Sequence, residues 1–171
     1  MARVSIQNMA ATKDPLQTWN WEVVFPRVPG SSDARPLTVR ATSTSAPGFQ
    51  IEQAPWEGHG KKLNFAGRRT YTGTWDCTFV EARDASTFAL LSAWADITRP
   101  WTSNPGAYKE EYATSVELIL YDAADRPART LKLRGCFPTN VADVSLDQSS
   151  TVMTIQCTFS YDWTDNETPS A

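Results

Sequence analysis

Residues 151–163, TVMTIQCTFSYDW, alternate between two kinds of side chain over most of their length. Every second residue from Met153 to Trp163 is apolar or aromatic, whereas the residues between them are polar. Period two is typical of a β-strand with one buried and one wet face, because a helix would spread the same residues around its circumference. As one strand, the segment would span roughly 43 Å at about 3.3 Å per residue, far more than usual. We therefore predict a mainly antiparallel β protein whose sheet continues beyond one chain.

The composition is that of one folded domain. The chain has 171 residues, 41% hydrophobic and 20% charged, and a chain of this size buries about 70% of the surface that its unfolded form exposes. Its net charge of −3 attracts neither nucleic acid nor an anionic membrane surface. No apolar run approaches the roughly 20 residues of a membrane helix, and the N-terminus lacks the apolar region of a signal peptide. We expect a single domain over residues 1–171 without a membrane anchor.

Other segments of the chain alternate in the same way. The pattern of residues 71–80 mirrors that of the final strand, so we expect the two to pair. Gly135, just before Cys136, predicts a kink or bulge. Residues 1–14 read as an N-terminal arm and residues 164–171 as a polar tail. The further predicted strands are residues 19–25, 37–44, 115–121, 128–133 and 141–146.

One helix is predicted at residues 85–96, with Asp84 as its N-cap. Its apolar residues recur at helical spacing, so one stripe of the helix faces the protein. The expected fold is an antiparallel β-sandwich or small barrel with one flanking α-helix and long projecting loops. The predicted core residues are Trp75, Phe79, Phe88, Leu91, Trp94, Ile155 and Phe159.

The longest connection covers residues 45–69. About 25 residues is long for a loop in a compact domain, so this segment is either a functional loop or a projecting hairpin. Two short alternating pieces, residues 49–51 and 63–65, lie within it, and glycines and prolines punctuate the rest. A second long loop is predicted at residues 101–113.

No arrangement of residues predicts catalysis, a metal site or a cofactor. The single histidine, His59, lies between two glycines in the long loop, where a base would not be held rigidly. The three cysteines have no CxxC spacing, and Cys77 and Cys157 are in phase with apolar strand faces, which predicts buried free thiols and folding in a reducing cytoplasm. Asp122 and Asp125 are typical of a hairpin turn.

The ordered set of segments resembles the tail tube proteins of contractile-tail bacteriophages, whose relatives include pyocin tubes and the Hcp tubes of type VI secretion. The resemblance covers about residues 15–165. It rests on the early strand WNWEVVF, the segment VRATSTSAPGFQIE, the passage from GRRTY into GTWDCTFVE, the helix with FALLSAW, the hairpin LILYDAADRPARTLKLRGCFPTNV and the alternating final strand.

The resemblance implies a structural protein of the virion tail that folds in the host bacterial cytoplasm. Six copies would form a ring by joining strands edge to edge, and the rings would stack into a tube for DNA in transit. Besides copies of itself, its implied partners are the tail sheath, the tape-measure protein, and the baseplate and tail-terminator proteins. The arm and the tail would seal ring on ring, and a polar, acidic or neutral lumen would let DNA slide.

Two sets of residues are predicted for these contacts. The loop at 45–69 would reach a neighbouring subunit through Pro47, Phe49, Trp56, Lys61, Lys62, Arg68 and Arg69. The wet faces of the two clearest strands would line the lumen with Thr72, Thr74, Asp76, Thr154, Gln156 and Thr158.

Two alternatives stay open at this point. The chain could be a baseplate tube-initiator or tail-terminus ring protein of the same fold. It could instead be a monomeric β-barrel that binds a ligand in a pocket rimmed by some of its seven tryptophans.

Overall fold

A computed structural model describes residues 15–102, 106–144, 146, 148 and 150–167. The described part contains nine strands and three helices. The strands are β1 (Trp21–Val24), β2 (Ala41–Thr44), β3 (Phe49–Gly58), β4 (Lys61–Tyr71), β5 (Thr74–Val80), β6 (Thr114–Tyr121), β7 (Pro127–Val141), β8 (Thr154–Ser160) and β9 (Trp163–Glu167). The helices are α1 (Arg35–Arg40), α2 (Ser86–Thr98) and α3 (Lys109–Tyr112).

Strand β7 joins two halves of the structure. Seven strands form one antiparallel sheet in the order β1-β6-β7-β8-β5-β2, with β9 also paired to β7. Residues 127–136 of β7 pair with β6 and β9, and with β1 these form what we call the charged sheet. Residues 137–141 pair with β8, and with β5 and β2 they form the polar sheet. Both sheets contribute side chains to one core, and the antiparallel β fold is as predicted.

Gly135 marks the boundary between the two halves of β7. Its φ of +68° lies in the left-handed region, and the register with β6 shifts beside it. A Cβ atom here would lie 2.1 Å from Oδ2 of Asp162, whose carboxylate also pairs with Lys109 at 2.5 Å. Only glycine fits this conformation and this space without strain. The predicted irregularity at Gly135 is confirmed.

Aromatic rings fill the centre of the core. Trp75, Phe79, Trp94 and Phe159 are buried and, together with Phe25, form ring pairs with centroids 5.2–6.4 Å apart. Leu91 and Ile155 are buried as well, as predicted.

Phe88 was predicted to be a core residue, and this prediction is wrong. Its side chain is 48% exposed, whereas Thr87, Leu91 and Trp94 form the buried stripe of α2. These three residues lie at i, i+4 and i+7, and Phe88 is rotated about 100° away from Thr87 around the helix.

The final segment is two strands rather than the single predicted strand of residues 151–163. Strand β8 lies between β5 and β7, and β5 begins at Thr74, which is opposite Ser160. Beyond that point the chain follows the bend of β7, with the Asp162 N–H donating to the Arg134 carbonyl at 2.9 Å, and β9 begins. Residues 151–153 are not strand. The polar tail predicted from residue 164 is therefore strand as far as Glu167, and residues 168–171 and the arm at 1–14 lie outside the described residues.

Three further element predictions are corrected. The strand predicted at 37–44 is helix α1 followed by β2, because Pro36 stands in the first helical turn and the Asp33 carboxylate accepts the Arg35 N–H. Of the strand predicted at 141–146, the described residues 142–144 and 146 are not strand, since β7 itself pairs with β8 and ends at Val141. The strand predicted at 71–80 is interrupted at Gly73, whose φ is +71°.

The predicted helix at 85–96 is present as α2, but it is not the single helix of the fold. Helix α3 lies within the predicted loop at 101–113, and α1 lies in the predicted second strand. Residues 103–105 of that loop lie outside the described residues.

Candidate assembly surfaces

The outer face of the polar sheet brings together five of the six residues predicted to line a lumen. In the paired strands β5 and β8, Asp76 lies opposite Thr158, and Thr154 lies opposite Val80. The alternate residues of both strands, among them Trp75 and Ile155, point into the core. The five residues that share the outer face are Thr74, Asp76, Thr154, Gln156 and Thr158.

Thr72 does not belong to this face. It precedes Gly73, where the left-handed backbone breaks the alternation between β4 and β5. Its hydroxyl instead lies 3.1 Å from the hydroxyl of Tyr161, a residue of the buried core. Its role as a lumen residue is therefore not supported by its position.

The polar sheet carries almost no charge. Among the described residues of its strands, Asp76 is the only charged one. Its Oδ1 accepts a hydrogen bond from the Thr158 hydroxyl at 2.6 Å, and its backbone carbonyl accepts one from the Thr44 hydroxyl at 2.9 Å. The Thr42 hydroxyl likewise donates to the Thr78 carbonyl at 3.2 Å. Hydroxyl groups rather than ion pairs therefore organise this face.

The polar sheet also has two open edges. Strand β2 pairs with β5 on one side, and no described strand pairs with its other side. Residues 137–141 of β7 pair with β8, but the pairing of β7 with β6 stops at Cys136. Unpaired N–H and C=O groups along such edges can pair with a strand of another chain.

The charged sheet presents a different outer face. Lys132 on β7 pairs with Glu117 on β6 at 2.6 Å. On the other side of β7, Arg134 pairs with Asp165 of β9 at 2.8 Å. These ion pairs cross from strand to strand, so the outer surface of this sheet is held by electrostatic contacts.

Strands β3 and β4 form a separate two-stranded ribbon, which we call the hairpin ribbon. The two strands pair with each other and with no other strand in the described chain. The tip is the two-residue turn His59-Gly60, in which both residues have positive φ, as in the tight turns that suit β-hairpins. The loop predicted at 45–69 is thus a hairpin. Of the predicted contact residues, Pro47 precedes the ribbon and the others lie on it: Phe49, Trp56, Lys61, Lys62, Arg68 and Arg69.

Residues 11–164, which include every strand from β1 to β8, match the family model described as phage tail tube protein. The chain belongs to the phage tail tube protein family. This tail tube chain is 29% identical over 136 residues to the tail tube protein of Serratia phage KSP90, a similarity that covers 77% of the chain and 75% of the relative.

The fold of the tail tube chain is similar to that of chains in two solved assemblies. A chain of the anti-feeding prophage tube-terminating cap aligns with a TM-score of 0.67 and 16% identity over 92% of this chain and 94% of that chain. A chain of the PVC sheath-tube complex, from an extracellular contractile injection system in its extended state, aligns with a TM-score of 0.63 and 14% identity over 97% of this chain and 99% of that chain. At these identities, the similarities show a shared fold.

The thiols of the tail tube chain lie in its core. All three cysteines are free and buried, and burial raises the pKa of the Cys77 and Cys136 thiols to about 12 and that of Cys157 as well. These thiols are therefore protonated and unreactive at neutral pH. In the described ranges, no group of three or more histidine, cysteine or acidic side chains is placed to hold a metal ion. No described helix is long and apolar enough to cross a membrane.

The sequence did not identify the group that stabilises the start of α2. Asp84 was predicted to be the cap, but in the first turn of α2 its carboxylate accepts the Ser86 N–H at a long 3.3 Å. Glu81 accepts the N–H groups of Thr87 and Phe88, both at 2.9 Å. Partial burial alone would raise the pKa of Glu81, but these hydrogen bonds outweigh it and lower the pKa. The spacing from Glu81 to α2 fits no standard capping box, so local sequence held no signal for it.

Proposed function

We propose that this protein is the structural subunit of a phage tail tube, in which rings of six copies stack around a channel for DNA. Membership in the family supports the tube, and the open edges of the polar sheet support closure into a ring. Six is the ring size that the family resemblance implies. In this proposal the chain is not an enzyme and needs no cofactor.

The ring would close through the two edges of the polar sheet. Strand β2 of one copy would pair with residues 137–141 of β7 in the next copy, which makes the sheets continuous around the ring. A closed ring leaves no unpaired edge on the polar sheet, and this removes the risk of uncontrolled association through those edges. The same head-to-tail contact would repeat at every subunit boundary.

The outer face of the polar sheet would line the channel. The single observation that carries this assignment is the near absence of charge on that face, since Asp76 is the only charged residue in the described strands of the polar sheet. A basic channel would hold DNA through its phosphates, whereas threonine and glutamine side chains with one carboxylate per copy would not. DNA would therefore pass without sequence-specific contacts.

The other partners would meet the outside and the ends of the tube. We place the tail sheath around the outside, the tape-measure protein in the channel before ejection, and the baseplate and tail-terminator proteins at the two ends. The protein would fold in the host cytoplasm, a reducing compartment in which its three buried thiols stay free.

Negative-stain electron microscopy with light scattering, over a concentration series of the purified protein, tests the proposal. Stacked rings or tubes with a central hole are the expected result. Single rings that never stack would favour the tube-initiator or tail-terminus alternative. A monomer at every concentration, with tryptophan fluorescence that responds to a ligand, would favour the binding module and contradict the tube.

A deletion variant tests whether assembly requires the hairpin ribbon. Phe49 and Tyr71 are register partners, and such Cα atoms lie about 4.5–5.5 Å apart, so a Gly-Ser-Gly linker can replace residues 50–70. The variant should remain a folded monomer with a cooperative urea-unfolding transition and should not form tubes. If this variant forms normal tubes, assembly does not require the ribbon.

A further inference from the structure

The hairpin ribbon exposes an apolar patch near its tip. Ala54 lies opposite Phe65, and Trp56 lies opposite Leu63, so these four side chains share one face of the ribbon. The Trp56 ring covers Gly58, where an added Cβ would lie 2.9 Å from the ring. We call Ala54, Trp56, Leu63 and Phe65 the tip patch.

A second apolar patch lies near the base of the ribbon. Phe49 lies opposite Tyr71, and Ile51 lies opposite Arg69. The Arg69 guanidinium lies 4.2 Å from the centroid of the Phe49 ring, and Tyr71 packs against the core of the body. We call Phe49, Ile51, Arg69 and Tyr71 the root patch. The five large apolar residues at these two patches, apart from half-buried Tyr71, are 47–57% exposed.

The two patches lie on opposite faces of the ribbon. Along β3, apolar side chains occupy positions 49 and 51 and then positions 54 and 56, so the apolar phase changes by one residue. Since alternate residues of a strand face opposite sides, this change moves the apolar side chains to the other face.

A β-bulge makes β4 follow the same change. One residue separates Ile51 from Gln53, but two separate their partners Arg69 and Ala66, so the extra residue is in β4. The bulge reverses the facing of β4 at the point where β3 changes its apolar phase. At Gly67 in the bulge, a Cβ would lie 2.9 Å from the Glu52 carbonyl oxygen, so the close approach of the strands requires glycine. In both strands, therefore, the apolar side chains move from one face of the ribbon to the other at the same point.

The charge of the ribbon indicates what covers the patches. Residues 49–71 contain four basic and two acidic side chains, a formal charge of +2, which leaves −5 for the rest of a chain whose total is −3. The body of another copy is thus electrostatically complementary to the ribbon. An isolated two-stranded hairpin is also marginally stable in water, so the ribbon gains stability when both of its apolar faces are covered.

We propose that each hairpin ribbon is clamped between two other copies of this chain, with the tip patch against one copy and the root patch against another. This inference rests on the proposed tube. It makes each ribbon a bridge between two subunits rather than a single arm that reaches one neighbour, and it assigns the bulge at Gly67 the role of dividing the two contacts.

Site-specific photo-crosslinking tests the clamp. A benzoylphenylalanine replaces Trp56 in one preparation and Phe49 in another, and each is assembled with an excess of ¹⁵N-labelled wild-type chain so that mass spectrometry separates contacts between chains from those within one. The expected result is crosslinks to labelled chains at two surfaces that are not adjacent on one body. Crosslinks from both positions to one continuous surface, to the probe's own chain, or to no labelled chain would overturn the clamp.

Paired substitutions provide a second measurement. The tip variant (Trp56→Ser, Phe65→Ser) and the root variant (Phe49→Ser, Ile51→Ser) should each raise the concentration for half-maximal assembly at least tenfold, and they should stall at different assembly products. The control variant (Gln53→Ser, Asn64→Ser) changes the face opposite the tip patch and should stay within twofold of the wild type.

The outcomes separate this inference from the proposed function. Circular dichroism melts verify that each variant's body stays folded, since the ribbon pairs with no other described strand. If the wild type never assembles, the tube and the clamp both fail. If the wild type forms tubes and the tip and root variants also do so normally, or stall at the same product, the tube stands and the clamp is overturned.

Discussion

The polar sheet and the charged sheet share strand β7 and one core, yet their outer faces differ completely. Their inner faces are alike, with Leu131 and Leu133 on one sheet and Ile155 and Phe159 on the other, all fully buried. On the outside, residues 127–136 of β7 carry two basic side chains, Lys132 and Arg134, whereas residues 137–141 carry none. The core therefore does not explain the contrast. In the proposed tube, the contrast follows from what each outer face would meet, which is water or a charged partner for the charged sheet and the DNA channel for the polar sheet.

The largest effect should come from the core that both sheets share. Phe159→Ala removes a ring that packs against Phe25, Trp75, Phe79 and Trp94, and it should lower the free energy of unfolding by about 3–5 kcal/mol. Urea unfolding measures this loss. Thr158→Ser, on the outer face of the same strand, keeps the hydroxyl and should cost less than about 0.5 kcal/mol. Equal losses in the two variants would show that β8 does not have the inner and outer faces described.

The next effect concerns the bend that separates the two halves of β7. Gly135→Ala should cost about 1–2 kcal/mol for the left-handed backbone, with a further cost from the clash with Asp162. Gly48→Ala is the control, because a Cβ there meets nothing within 4 Å. In the Asp162→Gly background, the loss of unfolding free energy caused by Gly135→Ala should be smaller, because the clash is absent and only the cost of the left-handed backbone is left. Chemical unfolding measures this loss. A neutral Gly135→Ala would contradict the bend.

A smaller effect is expected where α2 closes the core. Glu81→Gln weakens the hydrogen bonds to the first turn and should cost about 1 kcal/mol. Because the pKa of Glu81 is lower in the folded state than its ordinary value of 4.5, its contribution is complete above that value and is lost as pH falls through the folded pKa. Stability measured between pH 7 and pH 3 should therefore decline less steeply in Glu81→Gln than in the wild type. Parallel pH profiles would refute this role.

The smallest effect sharpens the comparison of the two outer faces. Lys132→Met breaks the ion pair with Glu117 and should cost about 0.2–1 kcal/mol, less at high salt. The matching change on the polar sheet, Asp76→Asn, leaves an acceptor for the Thr158 hydroxyl and should show a weaker salt dependence. Unfolding of both monomers at two salt concentrations checks this. A stronger salt dependence for Asp76→Asn would reverse the assignment of the two faces.

The sequence predicted best where both faces of a strand alternate. Strands β5 and β8 and their pairing follow from that pattern, as does the buried position of Trp75, Phe79 and Ile155. The ends of strands were less predictable, because β8 stops where its partner β5 begins, and that is a property of the pairing rather than of residues 151–163. At residues 37–44 the alternation led to the wrong prediction of a strand over the whole segment, although Pro36 was a signal for helix α1.

The candidate surfaces were predicted in part. The lumen candidates on β5 and β8 share one face because alternate residues of a strand point to the same side. Thr72 was wrongly assigned to that face, since the effect of Gly73 on the backbone is not visible in the sequence pattern. The open edges of β2 and β7 depend on strand order, which no local pattern contains. The change of apolar phase along β3 was present in the sequence, but its meaning required the register with β4 and the bulge at Gly67.

Cryo-electron microscopy of tubes assembled from the purified protein would locate each sheet in the tube wall. We expect the polar sheet to line the channel, with β2 of each copy paired to residues 137–141 of its neighbour and Asp76 facing the lumen. A map in which the charged sheet lines the channel, or in which those two edges stay unpaired, would contradict this expectation.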